Sequence, residues 1–173
     1  MILVAVLSFL VRTVQVEPEL IGIVYRLEAN TLVSLERVTA TVKSSARLLG
    51  FAGARQRAEV KGERASVRVK SGQVLEFILR SSPGVDPTRY KLYRMDQKNG
   101  KREMLVMESA PLGITAKVVM DRHEVSTNIS AFSPSSVRIV PIQPLGPGEY
   151  CFSPVGVNDV FCFGVDLARL SQI

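Results

Sequence analysis

The chain has 173 residues and a formal net charge of +6, with 46% hydrophobic and 22% charged residues. This composition excludes extended disorder, and the length allows a hydrophobic core that needs no metal ion or disulfide to fold. Aromatic residues make up only 6%, with no tryptophan, which argues against a lectin that stacks sugars on exposed rings.

Residues 1–18 form a hydrophobic N-terminal segment, and we expect residues 19–173 to fold as one domain. The run MILVAVLSFLV carries no charged side chain and ends at Arg12. It is shorter than the roughly 20 residues that a transmembrane helix needs. It matches the apolar part of a secretory signal peptide, although it lacks a preceding basic residue and a following small-residue cleavage site. Two alternatives stay open, a first strand or helix buried in the core and a short anchor or partner-facing segment.

From residue 21 onward, the pattern is one of short strands and turns. Residues 21–28 alternate between apolar and other side chains, and residues 31–38 follow a two-residue break at Ala29-Asn30, which suits a hairpin. Residues 40–49 continue with β-branched side chains and lead into a Gly/Ala-rich loop.

The middle of the chain continues the pattern. Residues 56–61 lead into Gly62-Glu63, predicted as a hairpin-like turn, and alternation resumes over residues 65–70. Val74–Leu79 is a nearly continuous apolar run, which is typical of a strand buried on both faces.

The clearest hairpin signal lies in residues 89–108. Asn99-Gly100 is the dipeptide that a type I′ turn prefers, because both central residues need positive φ. With this dipeptide at the tip, Asp96 faces Glu103, an unfavourable pair unless solvent or neighbouring cations relieve it.

Further strands are predicted at regular spacing, over residues 114–120, 125–132, 136–142, 149–153 and 159–165. About a dozen short strands with little or no helix indicate an all-β fold. The predicted fold class is an antiparallel two-sheet sandwich.

Pro147-Gly148-Glu149-Tyr150 resembles the PGxY entry of a strand near the end of prealbumin-like and immunoglobulin-like sandwich domains of bacterial exported proteins. The stretches GVDPTRYKLYRMDQKNGKRE and VFCFGVD also look like uncharacterised exported bacterial proteins of sandwich type. The resemblance implies a sandwich fold and export. It implies no catalytic or binding residue.

The sequence contains no recognisable catalytic motif, and we expect no enzyme activity and no cofactor. His123 is the only histidine, and its polar surroundings indicate a solvated loop residue. An enzyme would need a carboxylate pair in a cleft, such as two of Asp121, Glu124, Asp159 and Asp166.

Cys151 and Cys162 are the only cysteines. If the last hairpin turns symmetrically about residues 156–157, they face each other at a separation that allows a cross-strand disulfide. The alternatives are two buried free thiols and a redox switch, and a one-residue shift of the turn would forbid the bond.

Basic residues are concentrated in residues 43–70 and 89–102. The first segment has a surplus of six positive charges, equal to the net charge of the whole chain. Arg64, Arg68 and Lys70 are expected to share a strand face as a basic stripe. The candidate polyanion-binding residues are Arg55, Arg57, Lys61, Arg64, Arg68, Lys70, Arg89, Lys91, Arg94, Lys98, Lys101 and Arg102. The alternative is a solvated sheet face whose charges prevent aggregation.

These observations predict a non-enzymatic β-sandwich protein, secreted or associated with the cell envelope, that contacts a protein or an envelope component. The alternative is a binder of anionic polymers or nucleic acid that acts through the two basic segments, with a cytoplasmic location. Single-stranded nucleic acid would also need stacking aromatic rings, and Tyr90 and Tyr93 are predicted on opposite strand faces. No small-molecule substrate is predicted.

Overall fold

The computed structural model describes residues 16–46, 53–110 and 115–168, and their regular structure is almost entirely β-strand. The only helical elements among them are two short 3-10 turns, Pro87–Arg89 and Met120–His123. No helix in this part of the chain has the length and apolar character to span a membrane. The all-β prediction is confirmed.

The described residues contain fifteen strands, which is more than the dozen predicted. In chain order they are β1 (Val24–Glu28), β2 (Thr31–Ser34), β3 (Glu36–Thr39), β4 (Thr41–Ala46), β5 (Ala54–Lys61), β6 (Arg68–Lys70), β7 (Glu76–Arg80), β8 (Tyr90–Lys98), β9 (Lys101–Ser109), β10 (Ala116–Val118), β11 (Glu124–Val125), β12 (Thr127–Ala131), β13 (Ser136–Pro141), β14 (Gly148–Pro154) and β15 (Asp159–Asp166).

Five strands form a small antiparallel sheet in the order β12-β13-β7-β1-β2. Ala29 and Asn30 both have positive φ, as a type I′ turn requires, and they join β1 to β2 as predicted. Phe77, Ile78 and Leu79 are fully buried in β7. The prediction of a strand buried on both faces is therefore confirmed, although the strand begins at Glu76.

The large sheet has the order β3-β15-β14-β8-β9-β5-β4, with β6, β10 and β11 paired to β15, β9 and β8. Its two end strands, β3 and β4, are consecutive in the chain and separated only by Ala40. The sheet therefore curls into a half-barrel whose ends are connected by one short stretch of chain.

Two predicted strands are divided because the chain changes sheet within them. Leu35 separates β2 of the small sheet from β3 of the large sheet, and Ser126 separates β11 of the large sheet from β12 of the small one. The predicted hairpin at Gly62-Glu63 is wrong. β5 pairs with β4 and β9, whereas β6 runs parallel to β15.

The first core lies between the small sheet and the outer, convex face of the half-barrel. Phe77 of β7 contacts Phe152 of β14 with ring centroids 4.9 Å apart and Phe163 of β15 with centroids 5.0 Å apart. Tyr150 of the PGxY motif is 3% exposed, and its hydroxyl donates a hydrogen bond to the carbonyl oxygen of Gly146 at 2.9 Å.

The second core fills the inner, concave face of the half-barrel. It contains apolar side chains from five strands together with both cysteines: Ala58, Val60, Tyr93, Met95, Met104, Cys151, Val160 and Cys162. Ala65 of the loop between β5 and β6 also packs here and is 3% exposed. The loop therefore covers one end of the half-barrel.

Of the hydrophobic N-terminal segment, residues 1–15 lie outside the described residues. Pro18 is almost fully buried, and its carbonyl oxygen accepts a hydrogen bond from Arg80 at 3.3 Å. Glu17 accepts a hydrogen bond from Ser136 Oγ at 2.6 Å. Residues 17 and 18 are thus anchored to the small sheet.

Candidate functional site

The two cysteines form a disulfide within the second core. β14 and β15 pair antiparallel with Cys151 directly opposite Cys162, the register that a turn symmetric about residues 156–157 produces, and of the three alternatives left open the structure has the disulfide. Their exposed fractions are 2% and 0%. This burial places the bond out of reach of soluble reductants in the folded protein.

The twelve candidate basic residues fall into two groups. Seven of them lie within 4.0 Å of a carboxylate: Arg55, Arg57, Arg64, Arg68, Lys91, Lys101 and Arg102. For the other five, no such carboxylate is found among the described residues: Lys61, Lys70, Arg89, Arg94 and Lys98. These five residues lie on several surfaces, and of them only Lys61 and Lys98 take part in the pairings of β5 with β9 and of β9 with β8.

Arg102 cannot contact a polyanion, because it is fully buried at one end of the half-barrel. Its guanidinium donates two hydrogen bonds to the Glu36 carboxylate, at 2.9 and 3.1 Å, and one each to the carbonyl oxygens of Lys61 and Gly62 at 3.0 Å. Glu36 also accepts a hydrogen bond from the backbone of Ser66 at 2.9 Å. This buried ion pair holds the loop between β5 and β6 in place.

The predicted stripe of Arg64, Arg68 and Lys70 is an ion-pair cluster in which Asp166 accepts hydrogen bonds from the first two. Lys70 is exposed and lies opposite Asp166 in the pairing of β6 with β15. The hydrogen bonds from Arg68 hold the pKa of Asp166 below its usual range. Much of the charge in this stripe is therefore neutralised within the protein.

Arg68 reaches a second carboxylate by crossing β15 at a glycine. Arg68, Gly164 and Glu149 lie side by side on β6, β15 and β14. A Cβ at Gly164 would lie only 1.6 Å from the Nη1 atom of Arg68, so the absence of a side chain opens the path to Glu149. Glu149 is 1% exposed and accepts hydrogen bonds from Arg68 and from the backbone of Ala65.

An open groove of about 640 Å³ lies beside this cluster. Arg64, Arg68 and Arg94 line it together with Asp96, Glu149 and Asp166. Arg94 is exposed and donates a hydrogen bond to the carbonyl oxygen of Pro147 at 3.2 Å. Since the three cations face three carboxylates, the groove has no surplus of charge.

The convex face also carries a group of charged side chains away from the small sheet. Residues directly opposite each other in paired strands lie on the same face, and alternate residues along a strand return to it. The registers of β4, β5, β9 and β10 and of residues 96–98 of β8 therefore place one set of charged side chains together: Lys43, Arg55, Arg57, Glu59, Lys61, Asp96, Lys98, Lys101, Glu103, Glu108 and Lys117. We call this set, with the neighbouring Arg122, the charged face.

The charged face combines eight cations with four carboxylates and so has a net charge of +4. Glu59 accepts a hydrogen bond from Lys101 and lies 3.1 Å from Lys43, and both contacts hold its pKa below the usual range. The same contact with Glu59 raises the pKa of Lys101. The predicted clash of Asp96 with Glu103 is relieved by Arg57, which lies 3.4 Å from Glu103, and by Lys101.

Sequence reasoning did not select Lys117 and Arg122 as part of a site. They are close to Arg55 and Arg57 only through pairing and contacts between distant strands. The alternation of charged and apolar residues in 55–61 and 101–108 indicates that each segment has one charged face. That the two charged faces are the same surface follows only from the register of β5 with β9.

Three of the four carboxylates considered for catalysis, Glu124, Asp159 and Asp166, are paired with cations. Asp159 accepts hydrogen bonds from Arg37, at 2.6 and 3.1 Å, and these lower its pKa. Glu124 accepts a hydrogen bond from Lys91 at 2.8 Å. A general acid at neutral pH needs a raised pKa, so the shift of Asp159 goes in the opposite direction.

His123 ends the 3-10 turn before β11, at a partly exposed position. Within residues 16–46, 53–110 and 115–168, no three His, Cys, Asp or Glu side chains are grouped to hold a metal ion. Comparisons with protein families, with curated proteins and with solved structures found no significant match.

Proposed function

We propose that the protein is a non-enzymatic exported domain that acts through contacts of its surface with a component of the cell envelope. The buried Cys151–Cys162 disulfide is the observation that carries this proposal. Disulfides persist in secreted and periplasmic proteins and are rare in the reducing cytosol. The apolar run in residues 1–11 supports the same location as a signal peptide.

The proposed architecture is a two-layer sandwich of the prealbumin or immunoglobulin type. Its layers are the small sheet and the part of the half-barrel that packs on it through Phe77, Phe152 and Phe163. The PGEY sequence at the start of β14 supports this assignment. Such a sandwich leaves the charged face of the half-barrel free for a partner.

The test is the intact mass of the protein purified from its native host without reductant. We expect a mass that lacks the apolar N-terminal run and lies two hydrogens below that of the dithiol. Alkylation under denaturing conditions should label neither cysteine before reduction and both after it. A Cys151→Ala/Cys162→Ala variant serves as the unlabelled control. Full-length protein with two reactive thiols would refute export.

A second candidate function is the binding of an anionic polymer, and the net charge of +4 on the charged face favours it. Binding of this kind releases counterions and so weakens steeply with salt. Retention of the folded protein on immobilised heparin should fall as salt increases. Retention that does not change with salt, or no retention, would refute this function.

A further inference from the structure

One row of the charged face places three lysines side by side on neighbouring strands. Lys61 lies opposite Lys101, and Lys101 lies opposite Lys98. Like charges directly opposite each other destabilise a sheet. Among the described residues, Lys101 is paired with the carboxylates of Glu59 and Glu103, whereas Lys61 and Lys98 have no carboxylate within 4.0 Å. An external anion that bridged the two outer lysines would relieve this repulsion.

The next row of the face has the opposite sign. Glu59, Glu103 and Asp96 lie side by side on β5, β9 and β8. Because same-face residues along a strand are about 6.7 Å apart and neighbouring strands about 4.8 Å apart, the lysine row is roughly 10 Å long and closely followed by the acidic row. Glu59 and Glu103 are paired with cations of the charged face, whereas no cation lies within 4.0 Å of Asp96 among the described residues. The anionic groups of a ligand are therefore favoured over the lysines and disfavoured over Asp96.

This pattern fits a polymer with widely spaced anionic groups better than nucleic acid. Duplex DNA carries about one charge per 1.7 Å of its axis, so it would also place phosphates over the acidic row. Single-stranded nucleic acid needs aromatic rings for base stacking. Tyr93 is 3% exposed and packs in the second core, and Tyr90 is half-buried with its hydroxyl directed to Gly22.

We propose that the charged face binds a linear acidic polysaccharide and that Lys61 and Lys98 make the principal contacts. This inference rests on the proposed binding of an anionic polymer and names its chemical class. Both lysines are exposed, so they form these contacts without any rearrangement of the sheet.

The test compares two double variants that remove the same charge from different surfaces. Lys61→Ala/Lys98→Ala changes the charged face, and Lys70→Ala/Arg89→Ala is the matched control. All four side chains are exposed, and no carboxylate lies within 4.0 Å of them in the described part of the chain. Thermal unfolding of the control should match that of the wild type. The midpoint of Lys61→Ala/Lys98→Ala should match or slightly exceed it, since neither variant loses an ion pair and this one relieves the repulsion in the lysine row.

With hyaluronan as the probe, which carries one carboxylate per disaccharide, the first variant should bind roughly thirtyfold more weakly at low salt, because each lysine near an anionic surface contributes roughly fivefold to affinity. The dependence of log affinity on log salt should also become less steep. The control variant should bind like the wild type. Equal weakening in both variants would overturn the assignment to this face.

A single-stranded oligonucleotide of matched charge separates the two polymer classes. We expect it to bind more weakly than hyaluronan. Equal or tighter binding would overturn the polysaccharide class, although the anionic-polymer function would stand. Absence of hyaluronan binding by the wild type at low salt would overturn the polysaccharide proposal, and absence of heparin retention as well would overturn both. The proposal of export is tested separately by mass and disulfide state, so its outcome is independent of these measurements.

Discussion

Replacing Gly164 by alanine should destabilise the protein through a side chain on a different strand. The new methyl group would occupy the space through which Arg68 crosses β15, since the added Cβ would lie 1.6 Å from Nη1. Arg68 would have to leave, and Glu149, which is 1% exposed, would keep only the hydrogen bond from the backbone of Ala65 at 2.8 Å.

The size of the destabilisation follows from the loss of Arg68 as the ion-pair partner of Glu149. Removing one member of a buried ion pair costs about 3–5 kcal/mol. The lower end applies, because the side chain of Arg68 is 25% exposed. Alanine recovers about 0.5–1 kcal/mol, since glycine loses more conformational entropy in a strand. The expected decrease in the free energy of unfolding is therefore about 2–3 kcal/mol, a large share of the roughly 5–15 kcal/mol typical of a folded protein.

Urea unfolding followed by circular dichroism measures this loss, and a double-mutant cycle identifies its origin. In an Arg68→Ala background the methyl group meets no guanidinium, so Gly164→Ala should be neutral or slightly stabilising. Gly146→Ala is a control, because a Cβ there has no atom within 4 Å. An equal loss for Gly164→Ala in both backgrounds would refute the role of Arg68 and place the cost in the packing of β15 itself.

Three further predictions concern the buried and ionic groups. Arg102→Met should lower the free energy of unfolding by about 3–5 kcal/mol, because it removes one member of a buried ion pair. The exposed Arg94→Met should change it little, and equal losses for the two variants in urea unfolding would contradict the prediction. Cys151→Ala/Cys162→Ala should lower it by about 2–3 kcal/mol, and an unchanged thermal midpoint would contradict the disulfide. Because the pKa of Asp166 is lowered in the folded state, its ionised carboxylate stabilises the protein above about pH 4. This contribution is lost as the pH falls through the pKa of Asp166 in the folded protein. Asp166→Asn should therefore flatten the fall in stability with acid, and an unchanged pH profile would count against its ion pairs.

Local features of the fold were predictable because short-range chemistry determines them. Ala29-Asn30 and Asn99-Gly100 adopt positive φ, and each fixes the register of the strands that it joins. The cysteine pair follows in the same way from the turn between two neighbouring strands. The continuous apolar run around Ile78 predicted that this strand is buried on both faces.

Pairings between distant strands were not predictable. Gly62 has positive φ, which signals a turn, but nothing near it shows that β6 pairs with a strand almost a hundred residues later. The same applies to Arg102, whose burial depends on Glu36, a residue 66 positions away. The two basic segments looked alike in sequence, and only the strand pairings separate them. The registers of β5 with β9 and of β9 with β8 bring charges together on the charged face, whereas the pairing of β6 with β15 places Arg68 beside Asp166.

The pairing of β3 with β15 also determines when the fold can be completed. Thr39 lies opposite Asp159, so β3 cannot pair with β15 until a segment 120 residues further along the chain has been synthesised. The β1–β2 and β8–β9 hairpins need only local sequence and can form first. Contacts of such long sequence separation slow folding and leave strand edges exposed in the meantime. If the chain crosses a membrane with its N-terminus first, closure of the half-barrel is therefore deferred until translocation is nearly finished.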